Sequence, residues 1–348
     1  MFGKKFMIAL IFLVFVLIAV PLVFSATRTI THTHDDLDTF IRNSNGNYWE
    51  ATGANIQAAI NDLNPEIPPG YGGYGGTHGY VWLPGNTNFT IDSTLVIKKR
   101  VTLNMGGSTI IPSGNFDVIK LRTSSQLRNG VIDVSSVSNF DRATISFNAT
   151  DGFGITDHLA IVSDMELISD GLRGRGVYLN TEGSADQHII AIFHGIKTRE
   201  FKYGILINLT GTGDDWINGN IFSDIEGHGD KYFITLLEQD QDEVAGNYFE
   251  NVRCYCTNDT EYVVWNNGQG NVFDNVVAFD WDSNGGTRAS YNFSTSGIGN
   301  SGGDHLFISF VGGGNNLSVG SYAKWSNAYT ILNLENSSLK TGHVYEEG

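Results

Sequence analysis

Four charged residues, Glu166, Lys197, Glu226 and Arg253, fall at matching places in a repeated sequence unit and alternate in sign from one unit to the next. His228 stands two residues after Glu226, between Gly227 and Gly229, and Asp224 stands two residues before it. A carboxylate, an imidazole and a cation on neighbouring repeats are the parts of a proton-transfer site, in which unlike environments divide the work of acid and base. A calcium-assisted lyase would need clustered carboxylates and an Arg or Lys side chain to take the proton next to a carboxyl group, and Arg253 or Lys197 stands in that place. The candidate catalytic residues are therefore Glu226, His228, Arg253 and Asp224. The same column also reads as a row of cross-strand ion pairs, each worth about 0–1 kcal/mol at a surface.

A second acidic cluster contains Glu238, Asp240 and Asp242, with Glu243 beside them. Carboxylates two residues apart in a turn supply the hard oxygen ligands that Ca²⁺ prefers. Ca²⁺ is thus the one cofactor the sequence suggests, and a solvated acidic loop is the competing reading. Trp216, Tyr255, Trp265 and Trp281 belong to the same repeats and are either stacking platforms for sugar rings or part of the core. His32 and His34, one residue apart near the start, fit a metal pair or a solvated linker.

These residues acquire positions only through the repeat. Gly219-Asn220-Ile221-Phe222-Ser223-Asp224-Ile225 returns as Gly246-Asn247-Tyr248-Phe249-Glu250-Asn251-Val252 and as Gly270-Asn271-Val272-Phe273-Asp274-Asn275-Val276. Earlier copies keep the apolar positions at Ile192-Phe193-His194-Gly195-Ile196 and Ile161-Val162-Ser163-Asp164-Met165, and a second series begins at Tyr203, Tyr232 and Tyr262. A period of roughly 20–50 residues marks a stacked architecture. Each unit holds short Val-, Ile-, Phe- and Tyr-rich runs broken by Gly, Asn and Asp, so the unit is built of strands. Strands repeating in one direction make parallel sheets, coil upon coil. Val162, Phe193, Phe222, Phe249 and Phe273 should then stack inside. Asp164, Asp224, Asn251 and Asn275 should mark the corner where each coil bends. One helix is expected over 53–64, where Ile56, Ala59, Ile60 and Leu63 follow helical spacing.

The first 26 residues carry Lys4 and Lys5, an uncharged apolar run from Phe6 to Phe24, and then Ser25 and Ala26. That pattern is a secretory signal, or a membrane anchor if it stays uncleaved, and it places the rest of the chain outside the cytoplasm. Contact with a membrane is expected only through this segment. Residues 27–52 read as an extended polar segment whose Trp49 packs onto the body, and residues 53–348 as one domain. Sequons at Asn88, Asn148, Asn208, Asn258, Asn292, Asn316 and Asn336 agree with export and are candidate glycosylation sites. The two cysteines, Cys254 and Cys256, are too close in sequence for an unstrained disulfide and read as buried thiols. A formal charge of −16 argues against nucleic acid as a partner. An acidic polysaccharide would need a bridging cation or a local positive groove. The sequence leaves a homo-oligomer open.

From residue 53 onward the order of elements carries a resemblance. The helix Ile56-Gln57-Ala58-Ala59-Ile60-Asn61 is followed by the glycine-tyrosine loop 69–76 and the strand Val81-Trp82-Leu83-Pro84-Gly85. Phe89-Thr90-Ile91, Leu95-Val96-Ile97, a basic turn and Val101-Thr102-Leu103 come next. This order resembles the opening of pectate-lyase-like proteins, a group that includes polysaccharide lyases, polygalacturonases and phage tailspikes. The resemblance covers 53–136 well and 157–310 through the repeat pattern alone. It implies an all-β fold, a right-handed parallel β-helix whose first coil is capped by a helix and whose side carries a carbohydrate groove. Asn180-Thr181-Glu182, Asp214-Asp215 and Gly227-His228-Gly229 follow the order of the polygalacturonase motifs, but Arg253 is followed by Cys254-Tyr255 where that branch has Arg-x-Lys.

Two functional classes follow. One is a secreted or surface-attached β-helix that acts on or binds an extracellular polysaccharide, as a lyase or a glycoside hydrolase. The other is a non-catalytic adhesive or structural protein that uses the stack as a rigid rod.

Overall fold

A computed structural model describes residues 39–63, 79–148, 159–181, 188–210, 215–237, 244–257, 259–266, 268, 271–280, 290–293, 306–311, 316–319, 330–335 and 338–339. Among the described residues the chain is an all-β solenoid of parallel coils with one short helix. Its longest strands, Leu159–Thr181 and His188–Leu209, run in register over most of their length, and Ile221–His228, Tyr248–Cys256 and Val272–Asp280 continue the ladder. A second ladder runs through Tyr232–Leu237 and Tyr262–Asn266.

Each coil bends where the backbone enters the left-handed region, and the bends are aligned. Asn129, Asp164, Asp224, Asn251 and Asn275 all have φ of 54–55°, and Gly195 has 64°. The pairing of their neighbours puts all six in one column. Asn, Asp and Gly tolerate this conformation and other L-residues resist it. The amide of Asn275 donates to Asn251 Oδ1 at 2.9 Å, which links two corners directly. A second left-handed corner holds Glu200 (φ 56°) and Gly229 (φ 67°). The two corners divide a coil into three faces, represented by 221–223, 225–228 and 232–237.

The expected interior stack is present. Val162, Phe193, Phe222, Phe249 and Phe273 are register partners and fully buried. Successive phenylalanine rings lie parallel with centroids 4.7, 4.5 and 5.0 Å apart, the spacing of the coils themselves. Beside them runs an asparagine ladder that the repeat displayed but did not explain. Asn220 Nδ2 donates to Asn247 Oδ1 (2.8 Å) and Asn247 Nδ2 to Asn271 Oδ1 (2.9 Å). These amides also serve the buried backbone, bonding Ala191 N–H and the carbonyls of Ile189, Ile217 and Val244. Leaving such groups unpaired would cost about 1–3 kcal/mol each.

The helix Gly53–Asn61 covers the first coil with Ile56, Ala59 and Ile60, all fully buried. Ahead of it, Phe40–Asn43 and Tyr48–Glu50 form an antiparallel hairpin that also pairs with Gly79–Trp82. Trp49 packs into the core, as expected, and the hairpin gives residues 40–50 more structure than a polar linker would have. Asp62 ties hairpin to helix, accepting from the amides of Asn43, Asn45 and Asn47. Among the described residues no helix is long and apolar enough to cross a membrane, and the segment 1–26 lies outside them.

Asp230 sits under the second corner, fully buried, bonded to Thr198 Oγ1 and to the N–H of Phe201. Burial outweighs these hydrogen bonds and pushes its carboxyl up to about 7. The unfolded chain releases this proton near the ordinary aspartate value of about 4. The stabilising contribution is therefore complete below that pH and is lost as pH rises through about 7. Asp230→Asn should gain stability relative to the parent between these limits, with no difference at lower pH. Urea melts at several pH values check this, and parallel parent and variant profiles would refute it. Phe222→Ala should cost about 3–5 kcal/mol by opening a cavity in the stack, measurable in the same melts.

Candidate functional site

The second face brings together three of the four candidate catalytic residues, Glu226, His228 and Arg253. Glu166, Lys197, Glu226 and Arg253 are register partners on four consecutive coils, so the alternating column exists. Two residues further along each strand, Ile168, Arg199, His228 and Tyr255 make a parallel column. Strand alternation turns both columns outward, while Ile225, Val252 and Gly227 face in.

Glu226 is the hub. Its Oε1 lies 2.5 Å from His228 Nε2 and 3.7 Å from Lys197 Nζ. His228 in turn stacks on Tyr255, with ring centroids 4.5 Å apart and planes 15° from parallel. Partial burial pushes the Glu226 carboxyl up, but the His228 hydrogen bond, Lys197 and Arg253 together outweigh it and hold the group below the usual glutamate range. Glu226 is thus a fixed anion near neutral pH, suited to orient an imidazole and to hold cations, and unsuited to give a proton. At the edge of the cluster Arg199 pairs with Glu166 at 3.1 Å.

Asp224 is not part of this group. It occupies the left-handed corner, and its Oδ2 lies 3.4 Å from His194 Nδ1. Ser223 Oγ contacts the same nitrogen at 3.0 Å. A serine–histidine–carboxylate relay uses the two ring nitrogens separately, so the resemblance to a hydrolytic triad is superficial. Asn180, Thr181 and Asp215 are buried, so the residues matching the polygalacturonase order do not gather around His228 in an open groove. Glu182 and Asp214 lie outside the described residues, as do Glu238, Asp240, Asp242, Trp281, His32 and His34.

Trp216 is exposed on the first face, whereas Trp265 lies half-buried beside the tyrosine ladder of the third. Both cysteines are buried, Cys256 Sγ donating to Cys254 Sγ at 3.4 Å with no disulfide between them. Contact with Cys256 and burial keep the Cys254 thiol protonated, pushing it well above its usual value. Of the sequons, Asn88 is exposed and Asn208 half-buried, while Asn148, Asn292 and Asn316 are described by backbone alone and Asn258 and Asn336 not at all.

Sequence reasoning passed over the tyrosine ladder's basic neighbours. Lys202 and Lys231 immediately precede Tyr203 and Tyr232, a recurrence visible in the sequence once the tyrosines are aligned.

Comparison with protein-family models, with curated proteins and with solved structures finds no match. The fold rests on this chain's own pairing, and the function on its own surface.

If the Glu226 hub is formed as described, His228→Ala should raise the Glu226 titration midpoint towards the ordinary glutamate value. The sign follows from losing the hydrogen bond and charge that favour the anion. Carboxyl-resolved NMR titration reads it, and an unmoved midpoint would show that the contact is absent in solution.

Proposed function

We propose that this chain is a secreted or surface-attached, right-handed β-helix protein of the pectate-lyase-like kind that binds or acts on an extracellular polysaccharide. The observation that carries the reading is the Glu226–His228 pair flanked along the stack by Lys197 and Arg253, with Tyr255 stacked on the imidazole. A solenoid surface is otherwise uniform, so unlike groups on adjacent coils supply what acid–base work and sugar contact need.

The roles follow from the chemistry of each group. A guanidinium is a donor with no lone pair to accept a proton, and an ammonium ion likewise. Arg253 and Lys197 therefore suit holding a carboxylate of the polymer rather than taking a proton. His228, turned by Glu226, is the better proton acceptor. Tyr255 would pack against a sugar face. This assignment departs from the lyase expectation in which Arg253 or Lys197 is the base, because a protonated guanidinium or ammonium group has no lone pair with which to take a proton.

The test is a panel of acidic and neutral polysaccharides, with and without Ca²⁺, read by ultraviolet absorbance for an unsaturated product and by reducing ends for either cleavage. With a cleaved polymer in hand, His228→Ala should reduce turnover about 10²–10⁴-fold, the usual worth of a proton-transfer group. Glu226→Gln should act in the same direction, and Arg253→Ala should raise KM more than it lowers kcat. Unchanged turnover in all three would place the site elsewhere. Binding without cleavage by the parent would favour the rigid rod, in which the same column serves as a cross-coil ion ladder.

A further inference from the structure

The first face carries a pattern that neither the Glu226 hub nor the core explains. Ile161, Ile192, Ile221, Tyr248 and Val272 are register partners on five consecutive coils. Each precedes a residue of the buried Phe222 column, so strand alternation turns it outward. Ile221 is 39% exposed and the other four are half-buried. Leu159, 42% exposed, and its register partner Ile190 widen the line near one end. Single apolar side chains are ordinary on a surface, whereas a contiguous line of them marks a contact.

Beside this line runs a graded column. Arg128, Ser163, His194, Ser223, Glu250 and Asp274 are register partners, each two residues further along its strand. The guanidinium stands at one end and two carboxylates at the other. Arg128 donates to Gln126 and Asp274 accepts from Tyr248 OH, so among the described residues neither end is held by an opposite charge. The corner column comes next, with Asn129, Asp164, Gly195, Asp224, Asn251 and Asn275 in the same order. An apolar line with a charge gradient beside it is complementary to its own reverse.

We propose that the first face is a dimer interface on which a second copy of this chain packs face to face, with its stack antiparallel. The two-fold axis lies in the plane of contact, along the strands, between the coils of Ile192 and Ile221. Such an isologous contact sets each column against its own reverse, and it aligns the strands of the two sheets. Ile192 then faces Ile221 of the second copy, Ile161 faces Tyr248, and Arg128 faces Asp274. Ser163 faces Glu250 and His194 faces Ser223. At the corner Asp164 faces Asn251 and Asp224 faces Gly195, so no two carboxylates meet. Moving the axis onto the Ile221 coil would set Asp224 against its own copy, a like-charge contact that disfavours that register. A sugar polymer would find few hydrogen-bonding groups along the isoleucines, and nucleic acid would find no basic patch. From Arg128 to Asp274 the contact runs about 24 Å along the stack. That is short for a permanent interface, so the association belongs to the transient class, with a Kd on the order of micromolar. The Glu226 hub lies on the neighbouring face, outside the contact, and the dimer does not depend on the polysaccharide reading.

Sedimentation velocity of the full chain, over about a hundredfold range of concentration around that Kd, tests the dimer. The parent should pass from monomer to dimer. Ile221→Lys should weaken the dimer about tenfold or more, by placing an unpaired charge at its centre. Arg128→Asp should weaken it about tenfold, because the new carboxylate faces Asp274. Adding Asp274→Arg to Arg128→Asp should restore it. Within one chain these two positions are five coils apart, so they can compensate each other only across an antiparallel contact. Misfolding cannot mimic such a recovery. A parent that stays monomeric at every concentration would overturn the dimer. So would a dimer indifferent to Ile221→Lys, or a charge swap without recovery. A monomer whose binding to a polysaccharide falls in Ile221→Lys would give the line to that ligand and overturn the dimer as well.

Discussion

Parallel hydrogen bonding between consecutive coils constrains everything else in this chain. Each coil must present its residues directly above those of the previous one, because the backbone ladder tolerates few register slips before a side chain changes faces. A position in the repeat therefore becomes a column in space. Phe193, Phe222, Phe249 and Phe273 stack because their backbones pair, and Glu226 meets Lys197 and Arg253 for the same reason. The interior rewards uniformity, since like rings at coil spacing fill space without voids. The exterior is free to vary, and that freedom is where chemistry enters.

The columns differ in what they contribute. The phenylalanine stack and the asparagine ladder are sealed from water, so a cavity or an unpaired amide there costs kilocalories. The corner column costs little in contacts but much in conformation. A β-branched residue at Asp224 or Asn251 would strain a backbone held at φ 54°. The outer ion pairs add little to stability in water. A charged outer column therefore has small energetic reason to persist as pairs, which leaves it available for ligands.

The inner columns were legible in the sequence because repetition announces them. The apolar positions of the Phe222 column and the corner positions of Asp224, Asn251 and Asn275 could be read directly, as could the register from Glu166 to Arg253. The Gly-Asn start of each unit was equally visible, yet its meaning was not. Nothing in the spelling of Asn220 says that its amide points inward and threads a ladder, since asparagine in a turn more often faces water. Asp224 shows the opposite limit. Its type suggested acid–base chemistry, while its column, shared with Asn and Gly, announced a corner. Where a residue type and its column disagree, the column is the stronger evidence, because register is enforced by the whole backbone and side-chain chemistry by one site. The segment holding Glu238, Asp240 and Asp242 lies outside the described residues and has no counterpart in the sequence repeat.

This suggests where function must be sought in a solenoid that stands without matched relatives. Uniform columns are explained by the stack. Departures from uniformity are not, and each requires its own cause. Gly195 interrupts the Asp and Asn corner, but it serves the same left-handed backbone and needs no further reason. Arg253 following Glu226, and Glu261 following Lys231, are different. Neither change improves the fold, since one exposed side chain there is worth about as much as another. Arg253 continues the alternation of its column on the second face, while Glu261, on the same coil, ends the run of lysines on the third. That coil keeps the same core beneath it, Phe249 still stacked between Phe222 and Phe273, so its chemistry lies in the side chains its outer faces present.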